Sequence, residues 1–237
     1  MAHPRSPRAP MSLPPIAVFD LDGTLAETAG DLIGTLNALL TREGLPELPL
    51  DGARDLIGAG AKALIARGFA AAGAPLAPER HDQLFLDFIE HYGRNICRES
   101  YLYPGLVETL DRLEADGFRL AVCTNKVEGL AVDLLEKLGI AERFAAICGR
   151  ETFPFHKPDP RHITLTIERA GGDPARAVMV GDSRADIDAA KAAGVPVVAV
   201  TFGYTDTPVE ELGPDRVISH FADLVGAVEA LLPRKAA

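Results

Sequence analysis

The chain of 237 residues has no tryptophan and only three cysteines, Cys97, Cys123 and Cys148. Their number is odd and none stands in a CxxC spacing, which argues against a disulfide framework or a thiolate zinc site and fits a reducing cytoplasm. Positive charge is also scarce: 24 Lys and Arg stand against 34 Asp and Glu, a formal net charge of -10. Nucleic acid and anionic membrane both call for clustered basic residues, so neither is expected as a partner. No apolar run approaches the roughly 20 residues of a membrane span. Residues 1–15 carry five prolines and no apolar stretch of the kind a secretory signal has, so we expect a disordered lead-in there. The expectation is a cytoplasmic monomer or homodimer acting on a small molecule.

Hydrophobic residues make up 47% of the chain, enough for a full core. Short apolar runs at 16–22, 119–124, 145–148, 177–181 and 195–201, with a weaker one at 216–218, alternate with helix-length amphipathic segments at 107–115, 130–138 and 162–170. This is the pattern of a parallel sheet with helices on both faces. One stretch breaks it. Between residues 28 and 100 only helical spacing occurs, with stripes at Leu32, Ile33, Leu36, Leu39 and Leu40 and again at Leu84, Phe85, Phe88, Ile89 and Tyr92. A small helical bundle set into an α/β core is the reading, with core packing as the role of both stripes. The division is 16–28 and 103–237 for the core and 29–102 for the bundle.

The chemistry-bearing residues stand at the ends of the apolar runs. Asp20-Leu21-Asp22-Gly23-Thr24 closes the first. In an extended strand Asp20 and Asp22 share a face, at the carboxyl edge where α/β folds place ligands. Two carboxylates so close need a cation or a proton between them. A turn accounts for Asp22-Gly23 but leaves Asp20 unexplained. Gly181-Asp182-Ser183-Arg184-Ala185-Asp186 closes another run, its two acids spaced for one helical face; Asp182 or Ser183 also suits an N-cap. Together the pairs offer the hard oxygens that magnesium takes. Thr124-Asn125-Lys126 and His156-Lys157-Pro158 lie where an anion could sit. Alone, either lysine reads as a solvated surface charge; Lys157 is the stronger candidate to balance the acids.

These four motifs, in this order over residues 16–205, resemble the haloacid dehalogenase superfamily. The resemblance implies a Rossmann-like core with a helical cap inserted after the first motif, and it implies roles. Asp20 would be the nucleophile that becomes an aspartyl-phosphate. Asp22 would be acid and then base, with its backbone carbonyl on magnesium. Thr124 and Asn125 would hold the phosphoryl group, together with Lys157. Asp20 and Asp182 would bind the metal, and Asp186 would support Lys157 or a metal-bound water. Cap hinges are expected near 28–30 and 102–105. Residues 56–64, 103–110 and 124–126 look like bacterial phosphoglycolate phosphatases, which implies a magnesium-dependent phosphatase acting on 2-phosphoglycolate. A phosphomutase uses the same core residues and stays open. A non-catalytic binding protein predicts the loss of a catalytic residue, and none is missing. Lys62 and Arg67 are cap cations that could meet a substrate carboxylate, although a solvated helix face suits both.

Overall fold

The structure, a computed structural model, describes residues 13–232. Of the expected lead-in, residues 1–12 lie outside the described residues, while the Pro15 carbonyl accepts the Arg119 N–H at 2.9 Å. The elements run β1 (Ile16–Phe19), β2 (Ala26–Glu27), α1 (Ala29–Arg42), α2 (Leu50–Ala53), α3 (Ala61–Ala71), α4 (Pro78–Asn95), β3 (Tyr101–Leu102), α5 (Leu106–Ala115), β4 (Arg119–Cys123), α6 (Glu128–Lys137) and β5 (Phe144–Cys148). They continue with α7 (Pro160–Arg169), β6 (Ala177–Gly181), α8 (Arg184–Ala193), β7 (Val197–Val200), β8 (Arg216–Ile218) and α9 (Leu224–Leu231).

Six strands form one parallel sheet in the order β5-β4-β1-β6-β7-β8. Strands buried on both faces must be apolar at every position, and β1 reads Ile-Ala-Val-Phe with all four residues buried. Alternation then sorts the residues between two layers. Ile16 and Val18 pack with Ile163 and Ile167 of α7 and Ile187 of α8. Ala17 and Phe19 face the other way, into the core that holds Leu110 of α5, Leu134 of α6 and Val228 of α9. The strand order reverses at β1, flanked by β4 on one side and β6 on the other, and the crevice at such a switch point is where this architecture places ligands.

The helical stretch leaves and re-enters through a two-stranded antiparallel ribbon, β2 against β3, with Ala26 opposite Leu102 and Glu27 opposite Tyr101. The sequence reading contained no such ribbon, because two-residue strands carry no periodicity. Asp31 in the first turn of α1 pins the return path: its carboxylate accepts the Glu99 N–H at 3.0 Å and the Ser100 N–H at 3.0 Å. Among the described residues, no helix is long and apolar enough to cross a membrane.

Candidate active site

Asp20 is the first residue past β1, and its N–H still bonds the Val180 carbonyl at 2.9 Å, so the sheet holds it at the switch point. The expected strand over 16–22 stops at Phe19, so a shared strand face does not explain how Asp20 and Asp22 meet. A turn does it instead. The Leu21 carbonyl accepts the N–H groups of Thr24, Leu25 and Ala26, and Gly23 sits at φ +83°, a conformation that side chains resist. A Cβ on Gly23 would also collide with the Asp182 carboxylate. Both Asp20 and Asp22 line one cavity at this edge.

Lys157 is buried between two carboxylates, its Nζ 3.0 Å from Asp20 and 2.5 Å from Asp186. Burial alone would depress its pKa, but the charges of Asp186 and Asp20 win and hold it above its ordinary value. The acids carry the opposite strain. Burial first and the Asp186 charge second push Asp20 up to about 7 from 3.8, against the pull of Lys157. Asp182 is raised too, by burial and then by Asp186 and Asp20.

Asp182 lies in the turn between β6 and α8, one residue before the N-cap Ser183, so it does not share a helical face with Asp186 as the spacing suggested. Thr24 Oγ donates to it at 2.6 Å and the Tyr204 N–H at 2.7 Å. Asp186 occupies the third position of α8, and its carboxylate accepts the N–H and hydroxyl of Ser183 at 3.0 and 2.6 Å. Oxygens of Asp20, Asp182 and Asp186 lie within 4.8 Å of one another. Four carboxylates and two lysines meet here, and with every acid ionised the excess is two negative charges in a desolvated site, which is why Asp20 and Asp182 hold protons more tightly without a cation. All the donors are hard oxygens, and a magnesium ion fits both the donor set and the charge.

Thr124 and Asn125 follow β4 on the same edge. Thr124 Oγ accepts the Lys126 N–H at 3.2 Å, which leaves its own hydrogen to donate. Asn125 donates to the Lys157 carbonyl at 3.1 Å, while its Oδ1 is a buried acceptor with no partner among the described residues. Lys126 departs from the sequence reading. It is buried rather than solvated, with Nζ 2.9 Å from Asp22 and 2.9 Å from the Tyr92 hydroxyl. Burial would lower its pKa, but Asp22 and Tyr92 override that and raise it. Its partner Asp22 is 104 residues away in sequence, which no local pattern reports. Asp22 also accepts from Thr28 Oγ at 2.8 Å.

The cavity above these groups is narrow, about 50 Å³, and its far wall is the helical stretch. Leu32, Leu64, Phe88 and Tyr92 are buried and line it, with Phe85 and Ile89 half-buried beside them. The two apolar stripes are therefore packing and cavity wall at once. Lys62 pairs with Asp82 at 2.7 Å and lies over the Phe85 ring, outside this cavity, and Arg67 is exposed. Two contributors escaped the sequence reading altogether. Arg150, after β5, lines the cavity. Tyr204 joins the Asp182 turn to the ribbon, its hydroxyl donating to Glu27 at 2.6 Å and accepting the Thr28 N–H at 2.5 Å.

The family model for haloacid dehalogenase-like hydrolases matches residues 17–200. The phosphoglycolate phosphatase of Agrobacterium fabrum is 52% identical over 225 residues, which span 95% of this chain and 97% of that one. That of Mesorhizobium japonicum is 50% identical over 222 residues, 94% and 98% of the two chains. Among solved structures, a predicted phosphoglycolate phosphatase from Haemophilus somnus 129pt superimposes with a TM-score of 0.82 at 34% identity, over 90% of this chain and 96% of that one.

Proposed function

The chain belongs to the haloacid dehalogenase-like hydrolases, and from that premise we propose that it is a magnesium-dependent phosphatase that removes phosphate from 2-phosphoglycolate through an aspartyl-phosphate on Asp20. The observation that carries the reading is Asp20 itself. It is a buried carboxylate at the switch point, 3.0 Å from Lys157, at the floor of a cavity that Asp22, Thr124 and Asn125 also line.

In the first step a carboxylate oxygen of Asp20 attacks phosphorus and the bond to the glycolate oxygen breaks. Asp22 delivers a proton to that oxygen, oriented by Lys126 and Thr28. In the second step Asp22 takes a proton from water, the water oxygen attacks phosphorus, and phosphate leaves Asp20 restored. Thr124 and Asn125 position the phosphoryl oxygens, and Lys157, steadied by Asp186, balances their charge. Magnesium would be held by Asp20, Asp182 and the Asp22 backbone carbonyl, and would draw charge from the phosphoryl oxygens as they develop it. The helices of 29–102 act as a cap that excludes water, moving about 28–30 and 102–105.

The test is phosphate release, with magnesium, from a panel of 2-phosphoglycolate, pyrophosphate and hexose phosphates. We expect kcat/KM for 2-phosphoglycolate to exceed the rest by about tenfold or more. Stripping with EDTA should silence the enzyme and added magnesium should restore it. A flat panel removes the substrate assignment, and full activity after exhaustive chelation removes the metal. No release, with phosphate retained on Asp20, turns the reading to a phosphomutase.

A further inference from the structure

Two cations line the cavity, Lys126 and Arg150. Lys126 is committed to Asp22 and Tyr92. Below them, Lys157 is committed to Asp20 and Asp186. Arg150 is different: among the described residues its guanidinium has no ion pair or hydrogen bond. The acid next to it in sequence, Glu151, accepts the Glu128 N–H at 2.9 Å and acts on the guanidinium only through space, without an ion pair or hydrogen bond to it.

Arg150 is nevertheless held in place. Its backbone N–H bonds the Lys126 carbonyl at 2.8 Å, which ties the loop after β5 to the loop that carries Thr124 and Asn125. On its other side lies Gly60, at φ +85°, where a Cβ would come within 3.3 Å of Arg150 Nη1 and 3.1 Å of the Asn125 carbonyl. The glycine thus leaves the guanidinium uncovered. Arg150 also lines the outer groove next to the cavity, with Lys62, Phe153 and His156, whereas Asp20 and Thr124 line the cavity alone. It therefore borders both the cavity and the groove beside it. Burial lowers the pKa of this half-buried cation and the Glu151 charge only partly offsets that, so a hydrogen-bonded anion would stabilise it, and the planar fork of arginine matches a carboxylate with two parallel hydrogen bonds.

We infer that Arg150 holds the carboxylate end of the substrate and is the residue that selects an acidic phosphomonoester, the role first sought among the cap cations Lys62 and Arg67. The inference rests on the proposed phosphatase reading and adds the specificity determinant to it. A substrate with phosphoryl and carboxylate groups at opposite ends then spans the cavity, one end on Lys157 and Thr124 and the other on Arg150.

The test compares 2-phosphoglycolate with ethyl phosphate, which has the same two-carbon skeleton with a methyl in place of the carboxylate, on the full chain with magnesium. Arg150→Gln should lower kcat/KM for 2-phosphoglycolate by about 100-fold, mainly through KM, and leave ethyl phosphate within about threefold. Arg150→Lys, which keeps the charge and loses the fork, should recover part of the loss. An equal loss on both substrates would place Arg150 on the phosphoryl group or in the fold and overturn the inference. So would a variant that retains the wild-type preference. If the wild type itself hydrolyses ethyl phosphate as well as 2-phosphoglycolate, the substrate reading fails and the inference fails with it, a result distinct from the other two.

Discussion

The two walls of the cavity are built on opposite principles. The sheet edge carries Asp20, Asp22, Asp182, Asp186, Lys126 and Lys157, each charge held by a partner within about 3 Å. The facing wall, from α1, α3 and α4, is apolar where it lines the cavity except for the Tyr92 hydroxyl on Lys126, and it offers shape rather than charge. Buried charges tolerate little displacement, because each loses its compensation when its partner moves. They sit just past strand ends, on the loops that follow and on the first turn of α8, and are cross-tied to one another. Apolar contacts tolerate sliding, and they sit on helices joined to the sheet through a two-stranded ribbon. The rigid wall is suited to chemistry and the other wall to closure.

Breaking the charged wall should have the largest effect. Asp20→Asn keeps the shape of the site and removes the attacking charge, so kcat should fall by about 10⁴-fold or more with the melting curve preserved. Normal turnover in that variant would remove the nucleophile from the floor of the cavity. Breaking the apolar wall should show in stability first. Phe88→Ala leaves a hole in the helical core and should cost about 3 kcal/mol in denaturant unfolding, with kcat at a temperature where the variant is folded nearly unchanged. A large fall in kcat without a fall in stability would mean the helical wall takes part in the chemistry.

Lys126→Met leaves Asp22 with Thr28 as its remaining side-chain partner and should lower kcat by about 100-fold, read in single-turnover assays. Undiminished turnover would reduce Lys126 to packing beneath Tyr92. The smallest effect is one of stability. Asp20, pushed up to about 7 by burial and then by Asp186, favours its protonated form in the folded, metal-free protein, while the unfolded chain ionises near 3.8. Its contribution is complete at pH below about 4 and is lost as pH rises through about 7. His162, held down near 4 by burial and then by Lys157, works in the opposite direction over much of that range. The informative quantity is therefore the rise in Tm that magnesium produces at each pH. It should grow between about pH 5 and about pH 8, and a rise independent of pH would take Asp20 and Asp182 out of the metal-binding set.

Much of this was legible along the chain. The apolar runs that became β1, β4, β6 and β7 are short, apolar at nearly every position and followed by a polar residue (Asp20, Thr124, Asp182 and Thr201), a signature confined to a few residues. The bounds of β6 match the expected 177–181, while the ends of β1, β4 and β7 shift by a residue or more, as at Phe19, where the turn around Gly23 takes over from the ladder. The helical stretch announces itself by period, but the same period describes a residue that packs and one that lines a cavity, so the pattern at Phe85, Phe88 and Tyr92 shows packing alone. Lys126 and Arg150 carry no local signal, because a lysine or arginine after a strand has the same sequence neighbours whether it is solvated or buried in a cavity wall.

The sequence by itself determined which chemical groups the protein brings to its sheet edge and in what order, since strand ends and turns are local properties of neighbouring residues. Tertiary structure alone decided which charge faces which. Lys126 meets Asp22 across 104 residues, Thr24 meets Asp182 across 158, and Tyr204 meets Glu27 across 177. An ion pair depends on separation in space and on the exclusion of water, and neither quantity exists until the chain has folded.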